Sequence, residues 1–345
     1  MASNKGLYSS QFEHDSCGIG FVANIKSNKA HQIISDALTI LENMEHRGAC
    51  GCEHNTGDGA GIMIQTPHEF FFDECTRHGV YLPPYGKYGV GVLFFPKEIR
   101  RKEECRDIFN RCAERLGLEI LFYRKVPVNS EGIGVTALSV EPQMEHVFIA
   151  CPDHISNGDD FERKLFLLRN HASHTINNTV KRDDIGFYIA SLSYKTVVYK
   201  GQLTSTQVRS YFPDLNNKRV VSAFGLVHSR FATNTFPSWK LAQPFRYIAH
   251  NGEINTLQGN LNWLKTSEKN FISSFFTKEE MDLLLPIITE GQSDSACLDN
   301  MVELLLLCGR SLPHVMMMLI PEAWDGNETM DDTKKAFYEF HASFM

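Results

Sequence analysis

The sequence predicts a mixed α/β domain built as a layered sandwich, and three observations carry that prediction. Short apolar runs suited to buried strands recur at 18–25 (GIGFVANI), 89–95 (GVGVLFF) and 220–232 (VVSAFGLVHSRFA). Between them lie segments whose apolar residues repeat at helical spacing. No internal repeat, low-complexity tract or Pro/Ser-rich linker divides the 345 residues. Strands apolar on both faces need cover on both sides, and layers of helices and sheets supply it.

The elements follow in order. GIGFVANI reads as a strand that opens directly after Cys17. Residues 30–45 place Ile33, Ile34, Ala37, Leu38, Leu41 and Met44 on one helical face. HRGACGCEHNTGDGAGI is a Gly-rich loop leading into a strand at 61–65. Residues 68–125 alternate helix-like and strand-like segments, among them the run at 89–95 and a charged helix from Pro96 to Leu116. A helix is expected over 160–177, strands at 186–192 and 195–199, and a long buried strand at 220–232. PFRYIAHNGEINT (244–256) reads as a strand turning into a helix that runs to Ser267. Helices fit 293–308 and 312–320.

Composition narrows the function classes. Hydrophobic residues at 43% and charged residues at 22% predict a packed core rather than disorder. A net charge of −7 leaves no basic footprint for nucleic acid, and Arg100-Arg101-Lys102 is followed at once by Glu103-Glu104. No stretch approaches the roughly 18 apolar residues of a membrane span. The first residues, MASNKGLYSSQFEHDS, lack the apolar centre of a secretory signal. Nine cysteines, an odd total without regular spacing, point to a reducing compartment. The expectation is a cytoplasmic protein, or a plastid one whose transit peptide has been trimmed. Cys50-Gly51-Cys52 beside His46 and His54 lacks a second ligand pair at zinc-like spacing, so no metal site is expected.

Asp15-Ser16-Cys17-Gly18-Ile19-Gly20 is the most informative short segment. A thiolate is a strong nucleophile but needs a base at neutral pH. Cutting the bond before Cys17 would free an α-amine with a pKa of roughly 7.7–8.0, a serviceable base on the same residue. Taken alone, Cys17 reads better as a small buried residue opening a strand. A dinucleotide loop through Gly18, Gly20 and Ala23 is rejected, because no strand precedes it and β-formers fill it.

Further motifs change the weight of Cys17. CGIGFVA (17–23), LENMEHRGA (41–49), TGDGAGI (56–62), HSRFATNT (228–235), AHNGEINT (249–256) and GQSDSACLD (291–299) occur in this order. Together they resemble the glutaminase domain of the glutamate synthase large subunit, a class II glutamine amidotransferase, from Cys17 to the end of the chain. The resemblance implies an α+β fold, the four-layer α/β/β/α sandwich of the N-terminal-nucleophile hydrolases. It also implies that Cys17 is the nucleophile and that residues 1–16 are a leader removed from a domain spanning 17–345.

Other roles come with the resemblance, residue by residue. Arg230 matches the arginine that grips the α-carboxylate of glutamine, a task for paired guanidinium donors. Thr233 and Asn234 match positions lining the same pocket. Asn251 and Gly252 match the oxyanion hole, which steadies the charge of a tetrahedral intermediate. By itself Asn-Gly is a common turn dipeptide. Asp294 matches the carboxylate that binds the substrate ammonium, and a place near a helix start would suit it equally. Arg47 matches an arginine supporting the nucleophile region, with the loop Thr56–Gly61 packed beside it.

In the family, ammonia passes to a synthase region and meets 2-oxoglutarate there. FMN, an iron–sulfur cluster and electrons from NAD(P)H or ferredoxin, sometimes through a small subunit, complete the reaction. The expectation for this chain is L-glutamine as substrate and no cofactor of its own. With the leader attached it should be inactive. It stops at Met345 in a helical segment where the family continues, so a truncated domain is expected. A sibling amidotransferase of the glucosamine-phosphate, phosphoribosylamine or asparagine type would share the same chemistry. The long interval between TGDGAGI and HSRFATN favours the glutamate synthase type. A non-catalytic scaffold is disfavoured by the intact set Cys17, Arg230, Asn251, Gly252 and Asp294.

Overall fold

A computed structural model describes residues 18–51, 53–180, 186–230, 236–252, 254, 257–288 and 291–342. Cys17, Thr233 and Asn234 lie outside the described residues. In chain order the elements are β1 (Ile19–Ala23), α1 (His31–Asn43), β2 (Ala60–Gln65), α2 (His68–Arg77), β3 (Tyr88–Phe95), α3 (Ile99–Arg115), β4 (Ile120–Lys125), α4 (Val135–Ser139), β5 (Gln143–Ala150), α5 (Gly158–Thr179), β6 (Tyr188–Ser193), β7 (Thr196–Gly201), α6 (Gln207–Tyr211), β8 (Phe224–Ser229), α7 (Leu257–Ser267), α8 (Lys278–Leu284), α9 (Asp294–Leu307), α10 (Leu312–Leu319) and α11 (Asp332–Ala342).

The strands form two four-stranded sheets, ordered β1-β8-β2-β7 and β4-β5-β3-β6. Every pairing is antiparallel. Period-2 alternation explains how the second sheet is covered. Val90, Val92, Phe94 and Phe148 join a core shared with the first sheet, α1 and α2. Leu93, Phe95, Val147 and Ile149 pack instead with Ile108 and Phe109 of α3 and with Phe161, Leu165 and Leu168 of α5. Helix α1 buries Ile34, Ala37, Leu38 and Leu41, the i, i+3, i+4, i+7 stripe read from the sequence, and lies on β1 and β8. Each of the Ile and Leu side chains contributes about 1.5–3 kcal/mol on burial.

Two departures from the sequence reading have a clear electrostatic cause. Residues 143–150 form β5 although the apolar run is broken by Glu145 and His146. Both are buried, because Lys102 meets Glu145 at 2.6 Å and the Arg124 guanidinium lies 3.3 Å from the His146 ring. The strand expected to open the segment 244–256 does not form, since its backbone donors have another partner. The Asp299 carboxylate, on α9 and fully buried, accepts from the N–H groups of Arg246 (3.3 Å), Tyr247 (2.8 Å) and Ile248 (3.1 Å). Arg246 closes the cluster with ion pairs to Asp299 and Glu303, each at 2.8 Å. The segment is thereby held as a turn, with Phe245 N–H donating to the Ile248 carbonyl at 2.9 Å.

Candidate active site

Antiparallel order brings three sequence-distant segments to one rim of the first sheet. The residue before β1, the last residues of β8 and the loop entering β2 meet there. Ser229 N–H donates to the Gly18 carbonyl at 2.7 Å, and Arg230 N–H donates to the Gly59 carbonyl at 2.8 Å. Ala49 N–H donates to the Arg230 carbonyl (3.2 Å), and Asp58 N–H donates to the Ala49 carbonyl (2.9 Å). Gly18 and the motifs HRGA, TGDGAG and HSR are thus joined by backbone hydrogen bonds.

Asn251 reaches this rim from the loop that Asp299 holds. A Cβ at position 18 would sit 2.9 Å from Asn251 Nδ2 and 2.4 Å from the Ser229 carbonyl oxygen, so only glycine fits. On its other side, Asn251 Oδ1 lies 2.6 Å from His228 Nε2. Gln243 fixes the loop backbone, accepting from His250 N–H at 2.9 Å and donating to the His250 carbonyl at 3.2 Å. Gly252 is exposed, and among the described residues only the His250 ring comes within 4 Å of where its Cβ would stand.

Arg230 is buried at the end of β8. Burial pulls its pKa down, while Asp58 and Asp294 hold the charge in place. Asp294 is the first residue of α9, whose N-cap Ser293 accepts from Ala296 N–H. Its Oδ1 accepts from Ser295 N–H at 2.7 Å, and its Oδ2 accepts from Ile254 N–H at 3.3 Å. The loop bearing Asn251 therefore runs from His228 to Asp294. Arg230 stands at the rim where the Asn251 amide sits, and the Asp294 carboxylate acts on its charge.

Of the residues predicted from the sequence, Arg230, Asn251, Gly252 and Asp294 belong to this constellation. Arg47 stands on a short 3₁₀ turn (Glu45–Arg47) whose following segment packs on Ser229 and Arg230. Its half-buried side chain makes no hydrogen bond or ion pair with Arg230, Asn251 or Asp294 among the described residues. Sequence reading passed over His228, Gln243, Asp58 and Asp299, although all but Gln243 fall inside the quoted motifs. A polar pair, His228-Ser229, ending an apolar run was the available signal, because buried polar groups require partners. A cavity of about 280 Å³ lies elsewhere, between residues 154–164 and 275–280, and shares none of these side chains.

The described residues do not fit an iron–sulfur cluster or another metal centre. No three of their His, Cys, Asp or Glu side chains are grouped to hold a metal ion, and Cys75, Cys105 and Cys112 are core residues with free thiols. No helix among them is long and apolar enough to cross a membrane.

Residues 17–345 match the family model of the class II glutamine amidotransferases. The chain belongs to that family, and its α+β architecture with two antiparallel sheets agrees with the family's N-terminal-nucleophile hydrolase fold. More particularly, it is 44% identical over 345 residues to the NADPH glutamate synthase large chain of Bacillus subtilis, covering 100% of this chain and 22% of that one. With the NADH glutamate synthase of Schizosaccharomyces pombe it shares 48% identity over 347 residues, 99% of this chain and 16% of the relative. The ferredoxin-dependent glutamate synthase 2 of Synechocystis is 38% identical over 335 residues, 96% of this chain and 21% of its own. The chain thus spans about a fifth of the length of the curated relatives it matches.

Proposed function

We propose that this domain hydrolyses the side-chain amide of L-glutamine, with Cys17 as an N-terminal nucleophile. The observation that carries the proposal is the Asn251 amide held against Gly18, the residue after Cys17, on the rim that also bears Arg230 and Asp294. The family match beginning at residue 17 agrees with removal of residues 1–16. The finer architecture proposed is the four-layer sandwich, with α1 outside one sheet and α3 and α5 outside the other, which the division of the core supports.

Arg230 takes the α-carboxylate of glutamine and Asp294 its α-ammonium, so the side-chain amide is directed at Cys17. Thr233 and Asn234 line the pocket, and Arg47 supports the loop beneath it. The α-amine of Cys17 accepts the thiol proton as sulfur attacks the amide carbon. The resulting oxyanion receives hydrogen bonds from Asn251 Nδ2 and Gly252 N–H. Collapse of the intermediate transfers the proton to the leaving nitrogen, which departs as ammonia. Water then cleaves the γ-glutamyl thioester, releasing glutamate and regenerating the thiol.

In the full-length polypeptide the ammonia passes to a synthase region and 2-oxoglutarate. FMN, an iron–sulfur cluster and electrons from NAD(P)H or ferredoxin serve that region, outside these residues. The relatives' names, which include NADPH, NADH and ferredoxin-dependent glutamate synthases, support this reading over a sibling amidotransferase.

The test is the intact mass and N-terminal sequence of the purified protein, followed by a glutaminase assay with Cys17→Ser as control. A chain starting at Cys17 whose activity is abolished by the substitution supports the proposal. Full activity in a chain that keeps residues 2–16 refutes it.

A further inference from the structure

We infer that His228 is a positioning residue for glutamine hydrolysis, its ring N–H clamping the Asn251 amide so that Nδ2 is turned toward Gly18. The inference rests on the proposed role of Asn251 as an oxyanion donor.

Hydrogen-bond chemistry fixes the arrangement. His228 Nε2 lies 3.2 Å from the His250 carbonyl oxygen and 2.6 Å from Asn251 Oδ1. A carbonyl can only accept, so Nε2 carries the proton. A donor at Nε2 demands oxygen at the near branch of the Asn251 amide, because the NH₂ group there would oppose donor to donor. The amide nitrogen is thereby turned toward Gly18, where a Cβ would meet it at 2.9 Å. His228 Nδ1 is buried without a hydrogen-bond partner among the described residues. A bare ring nitrogen tolerates that position, whereas a second N–H would leave an unsatisfied donor. The ring is therefore neutral, in agreement with burial drawing its pKa down to about 4.

The clamp is rigid because of where it stands. His228 lies on β8, paired to Ile19 of β1 on one side and Gly61 of β2 on the other. Its backbone cannot follow a shifting loop, so the loop is held to the sheet. Gln243 restrains the backbone of His250, and His228 restrains the side chain of the next residue. A donor fixed in this way needs no reorientation as charge develops, which is the source of the catalytic gain from a prearranged oxyanion hole.

The test uses the full-length enzyme with glutamine as substrate, and each rate is normalised to the fraction of Cys17 alkylated by a glutamine-mimicking diazoketone. In His228→Leu, kcat should fall about 10²-fold while KM stays within about threefold, since Arg230 and Asp294 are untouched. His228→Gln, which supplies an amide N–H at a similar reach, should recover about tenfold of that loss. Asn251→Ala should lose about 10²–10³-fold in kcat. Adding His228→Leu to Asn251→Ala should cost less than about threefold more, because the clamp has nothing left to hold. Full multiplicative loss in the double variant, no recovery with glutamine, or kcat and KM moving together would overturn the clamp. An unchanged kcat in Asn251→Ala would instead overturn the oxyanion role itself. Normalisation to labelled thiol keeps partial misfolding from imitating either result.

Discussion

Asp299→Ala is the substitution on which the structure makes its largest claim. This fully buried carboxylate accepts three backbone N–H bonds from Arg246, Tyr247 and Ile248, and pairs with the Arg246 guanidinium at 2.8 Å. Removing one partner of a buried charged cluster typically costs about 3–5 kcal/mol. The orphaned N–H groups add to the loss, and relief of the carboxylate's own desolvation offsets part of it. Arg246 keeps Glu303 at 2.8 Å, so the middle of the range rather than its top applies, about 4 kcal/mol. At about 1.4 kcal/mol per tenfold, local protection falls about 10³-fold. The assay is hydrogen exchange read by mass spectrometry on peptides covering residues 244–251, with glutaminase kcat measured in parallel. Both should collapse together, because the same loop carries Asn251. Asp299→Asn keeps one acceptor oxygen and should lose about half as much free energy. Exchange within about threefold of wild type in Asp299→Ala would show that the loop is held by something other than this carboxylate.

Two further outcomes are expected. Gly18→Ala would drive a methyl to 2.4 Å from the Ser229 carbonyl and 2.9 Å from Asn251 Nδ2. It should cost about 1–3 kcal/mol of stability and about 10²-fold or more in glutaminase kcat; a rate within about threefold of wild type would contradict the close approach. Glu162, on α5, is buried and accepts from Ser193 Oγ (2.7 Å) and Tyr194 N–H (2.8 Å), yet burial pushes its pKa from 4.5 up to about 7. A folded-state pKa raised in this way gives stability that is fully present below pH 4.5 and lost as pH rises through 7. Glu162→Gln keeps an acceptor oxygen and removes that loss, so it should stabilise by up to about 3 kcal/mol above pH 7. Urea unfolding at pH 5 and pH 8 checks this, and a gain of the same size at both pH values would refute the linkage.

Much of the fold was legible because local pattern and tertiary environment agreed. The α1 stripe at Ile34, Ala37, Leu38 and Leu41 states its buried face outright, and the unbroken apolar run of β3 states that both its faces are covered. Strand β5 was hidden because Glu145 and His146 interrupt its pattern, and their partners Lys102 and Arg124 come from other elements. The strand expected at the start of 244–256 failed for the converse reason. Its residues favour an extended chain, but a carboxylate about fifty positions away takes their N–H groups.

The candidate site divides in the same way. Sequence by itself determined the parts: a cysteine before a strand, an arginine closing an apolar run, an Asn-Gly pair, and an aspartate at a helix start. Motifs declare such residues because each chemistry needs a particular functional group. Only the tertiary structure decided which parts meet, since the strand order β1-β8-β2-β7 puts the residue before β1, the end of β8 and the entry to β2 on one rim. It also decided how they are aimed. The direction of the Asn251 amide depends on a histidine 23 positions earlier and on the space a glycine leaves open at position 18. Hydrogen-bond direction and steric clearance act through space between segments far apart in the chain, so no local pattern records them.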